Sequence, residues 1–278
     1  MAHLESSKLF SVQGLVAVIT GGGSGLGRTM ALALDANKAS KVFIIGRREQ
    51  ALKDTAAAAM NGTITDRIDL LIVNSGIMGP QNPPPKPDGS KPTLSELRDH
   101  WATPMEDFTQ VSHVNVTGVF YTVLAFLPLL QAANEKRPAP VPGTLSPPRP
   151  QVIVTSSIAG FSRIAPFGSA YSLFKAGVNH PIKVLASLLI QYDIRVNGIA
   201  PGMYHTEMAA PMFELHGAEG KGISDGSMPR HVIPLTRGGA DEDLAGMVLW
   251  MASAAGGFLN GNIVVSDGGR LSVIPSSY

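Results

Sequence analysis

The sequence predicts an α/β fold: one doubly wound parallel sheet in a single domain spanning residues 1–278, with one strand of its first half shortened or missing between Arg48 and Leu70. Three observations carry this expectation. Short, wholly apolar runs alternate with helix-length stretches, the pattern of parallel strands covered on both faces. The first run ends in a glycine cluster that opens a helix. At 278 residues and without an internal repeat, the chain lies within the reach of one α/β domain.

Leu15-Val16-Ala17-Val18-Ile19 is the first buried-strand pattern. It stops at Thr20-Gly21-Gly22-Gly23-Ser24-Gly25-Leu26-Gly27, before a helical stretch rich in Ala, Leu and Met. Strand, glycine turn and helix in that order suit a nucleotide. Glycines let the backbone approach a pyrophosphate, and the helix N-terminus presents unpaired N–H groups and a positive dipole end. A Rossmann-like sheet is therefore expected. The second run, Val42-Phe43-Ile44-Ile45, ends at Gly46-Arg47-Arg48. Units that bind NAD usually place an acid here for the ribose hydroxyls. Arginines fit the 2′-phosphate of NADP instead, so NADP(H) is expected over NAD(H), with Arg47 the first contact and Arg48 the second.

The third run, Leu70-Leu71-Ile72-Val73, ends at Asn74-Ser75-Gly76, small residues that let backbone pass beside a cofactor. Between Arg48 and Leu70 there is room for one crossover helix over residues 49–60 and a short loop, whereas two crossovers with a strand between them need roughly 30 residues. Gly62-Thr63-Ile64-Thr65 is at most a stub of that strand. The second strand, apolar throughout, is expected to become an exposed sheet edge and an aggregation liability.

Residues 80–92 and 138–150 hold six prolines each, which excludes helix and central strand and marks two surface excursions. A helix is expected between them over residues 105–133, with Asn115 buried among apolar neighbours and in need of partners. Val152-Ile153-Val154-Thr155-Ser156-Ser157 is the next strand; its hydroxyl-bearing end places Ser157 at the carboxyl edge of the sheet, where open parallel sheets take their ligands. A long apolar helix starts at Ala170 and runs to about Tyr192, with Pro181 inside it, where it deletes a hydrogen bond and calls for a kink. Tyr171 and Lys175, four apart, share one face of it, and a fixed ammonium beside a phenol favours the phenolate and moves the group toward proton transfer near neutral pH. A strand over residues 194–199 leads into Ala200-Pro201-Gly202-Met203, and the Met- and Gly-rich residues 203–234 are expected to form a mobile lid. A helix from Asp241 to about Ala254 and the strand Ile263-Val264-Val265 complete the sheet.

Composition narrows the function classes. A net charge of +1 without a basic run gives no footprint for nucleic acid or an anionic membrane surface. No stretch is expected to reach the length of a membrane span, and the start of the sequence lacks a basic segment followed by an apolar run, so a cytoplasmic protein is expected. With no cysteine there is no disulfide and no thiolate. His100, His113, His180, His205, His216 and His231 show no metal-ligand spacing, so no metal site is expected.

With these residues in view, the chain resembles the short-chain dehydrogenase/reductase family, and is most similar to fungal members of the kind found in secondary metabolism. The likeness covers roughly residues 9–270. Thr20-Gly21-x-x-x-Gly25-x-Gly27 matches the family's cofactor turn and Asn74-Ser75-Gly76 its Asn-Asn-Ala-Gly segment. Asn115 matches its helix asparagine, Ser157 its catalytic serine and Tyr171-x-x-x-Lys175 its signature pair. Pro201-Gly202 with Thr206 matches the segment that touches the nicotinamide carboxamide.

The resemblance implies that Tyr171 exchanges a proton with the substrate oxygen while hydride moves to or from nicotinamide C4, and that Ser157 holds that oxygen. It implies that Lys175 lowers the Tyr171 pKa and bonds the nicotinamide ribose, and that Asn115 positions a water leading to solvent. The expected activity is reduction of a small-molecule ketone or aldehyde by NADPH, or the reverse. A homodimer or homotetramer is the assembly the family implies. The alternatives are a non-catalytic scaffold of the same fold and a non-redox dehydratase, epimerase or cyclase.

Overall fold

The computed structural model describes residues 4–57, 65–81, 86, 88, 90–165, 168–218 and 222–278. After a short helix α1 (Ser6–Leu9), strands and helices alternate. The first half comprises β1 (Val16–Thr20), α2 (Gly25–Ala36), β2 (Lys41–Ile45), α3 (Glu49–Ala57), β3 (Leu70–Val73), α4 (Leu94–Trp101), α5 (Met105–Ser112), one π-helical turn (His113–Thr117) and α6 (Gly118–Glu135). The second half comprises β4 (Gln151–Thr155), α7 (Ser169–Leu189), β5 (Arg195–Pro201), α8 (Ala210–Leu215), α9 (Asp241–Ala252) and β6 (Ile263–Ser266).

The six strands form one sheet in the order β2-β1-β3-β4-β5-β6, every neighbouring pair parallel. Alternate residues of the apolar runs point to opposite faces, and both faces are covered. Ala17, Ile19, Leu70, Ile72, Ile153 and Ile199 pack against Met30 and Leu34 of α2 and Leu244, Val248 and Met251 of α9. Val18, Leu71, Val73, Val152, Val154 and Val196 pack against Val119, Val123 and Leu130 of α6 and Val178, Ile182 and Leu185 of α7. The doubly wound sheet is thus the expected one.

Among the described residues no strand lies between β2 and β3, and β2 forms the sheet edge. Lys41, Val42, Phe43 and Ile44 are half-buried and Ile45 is 45% exposed, in contrast to the fully buried β1 and β3. Of the predicted stub, residues 62–64 lie outside the described residues, as do 58–60 of the predicted crossover helix.

Four further features depart from the sequence expectations. The helix expected over residues 105–133 is broken into α5 and α6 by the π-turn around Asn115. It nevertheless runs continuously for 31 residues, and with the 24 residues from Ser169 to Tyr192 it is long and apolar enough to cross a membrane, contrary to the expectation that no stretch reaches that length. Their buried faces supply one side of the core, which is why both are apolar. Helix α4 arises just after the first proline segment, where Thr93 and Glu96 form a capping box: Thr93 Oγ1 accepts from the Glu96 N–H at 3.2 Å and Glu96 Oε2 from the Thr93 N–H at 2.6 Å. In the predicted lid, Met203, Ala209, Phe213, Met228, Val232 and Ile233 form a small core of their own, so its described part is packed against itself. The C-terminal residues pair with the loop between β4 and α7 through the Arg163 N–H on the Pro275 carbonyl and the Ser277 N–H on the Phe161 carbonyl.

Candidate active site

The strand order reverses about β1, and the carboxyl ends of β1, β3, β4 and β5 open into a cleft of about 630 Å³. All the sequence-predicted residues except Thr20, Gly27 and Asn115 line it. These three shape it from behind.

Thr20 ends β1, and its hydroxyl accepts the backbone N–H groups of Asn74 (3.0 Å) and Ser75 (3.2 Å), tying the glycine turn to the end of β3. Gly27 sits where a Cβ would collide with the Gly21 carbonyl oxygen, so its lack of a side chain lets α2 start close against β1. Ser24 is the N-cap residue of α2 but gives it no side-chain cap. Gly21, Ser24, Gly25 and Leu26 line the cleft at the start of α2, and a helix N-terminus there suits an anionic pyrophosphate. Ser24 Oγ instead accepts from Arg48 Nη2 at 2.6 Å, while Arg48 Nη1 bonds Glu207 Oε2 at 2.8 Å. Arg47 lines the same wall.

At the other end, Ser157, Tyr171 and Lys175 come together because a 3-10 turn (Ile158–Gly160) presses on α7. A Cβ on Gly160 would lie 2.7 Å from the Lys175 carbonyl, a close approach that only glycine permits. All three residues are buried: Ser157 to 8% exposure, Tyr171 to 8% and Lys175 to 5%. Ser157 caps the turn by accepting the Ala159 N–H at 3.1 Å and also hydrogen-bonds the Tyr171 hydroxyl. Lys175 Nζ donates to the Thr155 carbonyl at 2.8 Å and lies 5.7 Å from the Tyr171 ring centroid.

Burial pushes the Tyr171 phenol above its ordinary value, and the Ser157 hydrogen bond offsets only part of that. Burial also depresses the Lys175 ammonium, to about 8. In the chain without cofactor the pair is therefore a protonated phenol beside a weakly held ammonium.

Asn115 is 1% exposed and stands behind the cleft on the π-turn. Its Oδ1 accepts the Ile77 N–H at 2.9 Å and its Nδ2 donates to the Ile77 carbonyl at 2.9 Å, so its amide fixes the segment after Gly76. The partners that a buried amide requires are thus a backbone peptide of the cleft wall. Phe174, next to Lys175, turns away and packs edge-to-face on Phe108 of α5 at 5.4 Å.

Sequence reasoning missed Ile77, Val114, Tyr204, Glu207 and Met208, which also line the cleft. Tyr204 lies three residues past Pro201 and bonds Ser266 Oγ at 2.6 Å. The remaining four carry no local motif, and only the long-range fold brings them to the site.

Known proteins share this sequence pattern and architecture. A family model described as enoyl-(acyl carrier protein) reductase matches residues 47–270. Short-chain dehydrogenase/reductase PhomF of Diaporthe leptostromiformis is 42% identical over 300 aligned positions, covering 99% of this chain and 97% of that protein. Short-chain dehydrogenase/reductase VdtF of Byssochlamys spectabilis is 34% identical, covering 99% of this chain and 98% of that protein. Among solved structures, the Pseudomonas aeruginosa RhlG/NADP active-site complex matches with a TM-score of 0.70 and 26% identity, covering 94% of this chain and 98% of that one. The 300 aligned positions exceed the 278 residues of the chain, so PhomF carries at least 22 residues that have no counterpart here.

Proposed function

The chain belongs to the short-chain dehydrogenase/reductase family, and on that premise we propose that it is an NADP(H)-dependent oxidoreductase that reduces a ketone or aldehyde to an alcohol in fungal secondary metabolism. The observation that carries the reading is the buried Ser157–Tyr171–Lys175 group at one end of a cleft whose other end is a glycine turn with uncapped helix N–H groups and two arginines. The fit to a dinucleotide is good. The glycine turn would hold the pyrophosphate, Arg47 and Arg48 the 2′-phosphate, Asn74-Ser75-Gly76 the adenosine-side backbone, and Pro201, Gly202 and Thr206 the carboxamide. The secondary-metabolism reading is supported by the likeness to PhomF and VdtF.

NADPH, when bound, supplies the hydride that reaches the carbonyl carbon. Ser157 Oγ donates a hydrogen bond to the substrate oxygen and holds it toward the phenol. Tyr171, a protonated phenol at neutral pH, gives that oxygen its proton. Lys175, oriented by the Thr155 carbonyl, stabilises the phenolate left behind until solvent returns the proton. Asn115 holds the Ile77 peptide in place beside them. Exposed Tyr121 and Leu124 on α6 and Leu173 and Leu188 on α7 support assembly as a homodimer or homotetramer.

Replacing Tyr171 with Phe tests the reading. Turnover of NADPH with a panel of ketones should fall by about 10²-fold or more, while NADPH affinity measured by nicotinamide fluorescence stays within about twofold. Unchanged turnover would remove Tyr171 from the chemistry.

A further inference from the structure

The ion pair between Arg48 and Glu207 joins parts of the molecule that the sheet holds far apart. Arg48 follows β2 and Glu207 follows β5, and in the order β2-β1-β3-β4-β5 these strands are four steps apart. At a strand spacing of about 4.8 Å that is about 19 Å across the sheet. The contact therefore arches over the carboxyl ends of β1, β3 and β4, where the cleft opens. It is doubly anchored on one side, since the same guanidinium bonds Ser24 of the glycine turn. The segment around Glu207 lies against that turn as well: a Cβ on Gly25 would be 3.3 Å from Thr206 Cγ2. Glu207 is also the only acidic side chain among the described residues that line the cleft. Both partners are largely exposed, 60% for the Arg48 side chain and 71% for Glu207, so the pair is weak enough to be exchanged.

We propose that Glu207 is a specificity-determining residue, an internal anion that holds Arg48 until the 2′-phosphate of the cofactor replaces it. This rests on the NADP reading above. A dianionic phosphate offers the guanidinium more charge and more acceptors than a carboxylate, so it wins the exchange, whereas NAD, with hydroxyls at that position, does not. The exchange frees the segment of Glu207, which also carries Thr206 against the glycine turn. Displacing Glu207 takes up part of the binding free energy of the phosphate, so the clasp sets how strongly the site prefers NADPH, holding that preference below what Arg48 alone would give.

The test is a set of dissociation constants for NADPH and NADH with wild type, Arg47→Ala, Arg48→Ala and Glu207→Gln, together with amide exchange of residues 204–209. Glu207→Gln should bind NADPH about two- to fivefold more tightly, the range expected for loss of an exposed competing pair, with NADH changed much less. In wild type, saturating adenosine 2′,5′-bisphosphate should speed exchange over residues 204–209, whereas adenosine 5′-monophosphate should not. Glu207→Gln should exchange fast from the start. If wild type prefers NADPH, Arg48→Ala abolishes the preference and Glu207→Gln leaves both affinity and exchange as they were, the clasp is wrong and the NADP reading stands. A preference that depends on Arg47 alone likewise overturns the clasp and leaves the NADP reading in place. If wild type and Glu207→Gln both bind NADPH no better than NADH, the NADP reading falls and the clasp with it.

Discussion

Lys175 is the residue whose environment differs most from what its sequence spacing implies. Its place four residues after Tyr171 was legible, and so was Ser157, because strand ends and helix periodicity are local properties. The titration was not legible, since burial depends on everything packed around the pair. With its pKa lowered from 10.5 to about 8, Lys175 is a cost to the fold wherever it is charged. Below about pH 8 the folded chain holds a buried ammonium. Between about 8 and 10.5 the unfolded chain binds more protons than the folded one, so stability rises with pH through that window. Lys175→Met should therefore be more stable than wild type at pH 7, by on the order of 3 kcal/mol, and the gap should close toward pH 10.5. Urea unfolding at both pH values measures this; a gap that does not depend on pH would mean that Lys175 is not desolvated. Glu207 shows the opposite limit of legibility, because no motif in the sequence announces a contact made across four strands.

Among the elements, β2 is where a gap in the sequence became a property of the sheet. The shortness of the stretch from Arg48 to Leu70 and the apolar Val42-Phe43-Ile44-Ile45 were enough to predict an edge, and β2 is one. In a parallel pair only alternate N–H groups of an edge strand face the neighbour. Amide exchange over residues 41–45 should therefore alternate between fast and slow, whereas β1 and β3 are protected throughout. Uniformly strong protection of β2 would show that something covers it. Two helices were harder to read. The α4 capping box lay in plain view at Thr93 and Glu96, but the prolines before it suggested a continuing loop. In α7, Pro181 was expected inside the helix at the loss of a hydrogen bond, and the helix runs through it from Ser169 to Leu189. The buried residues on either side, Val178, Ile182 and Leu185, hold it against the sheet and outweigh the lost hydrogen bond. The π-turn at Asn115 was invisible for the same reason: it is set by the Ile77 peptide, 38 residues away in sequence.

At the scale of the whole molecule, the cleft draws its walls from both halves of the sheet, so a cofactor should stabilise the entire fold. NADPH at about 100 times its dissociation constant should add about 2.7 kcal/mol, or roughly 5–10 °C in a thermal shift. An unchanged melting temperature in a folded protein would mean that the cleft takes no nucleotide. The same topology has a consequence for how the chain is made. Val16 meets Lys41 across a single helix, whereas Leu70 meets Gln151 only after α4, α5 and α6 have been traversed. Closing the shorter loop costs less, so β1, α2 and β2 can assemble while the remaining strands are still unmade. Emerging first from the ribosome, that unit shows bare strands on both sides until β3 arrives to cover one of them, and β2 stays open afterwards. Yield of the native protein is thus a race between completion of the chain and adhesion of nascent copies, which slower initiation and holding chaperones would tilt toward the fold.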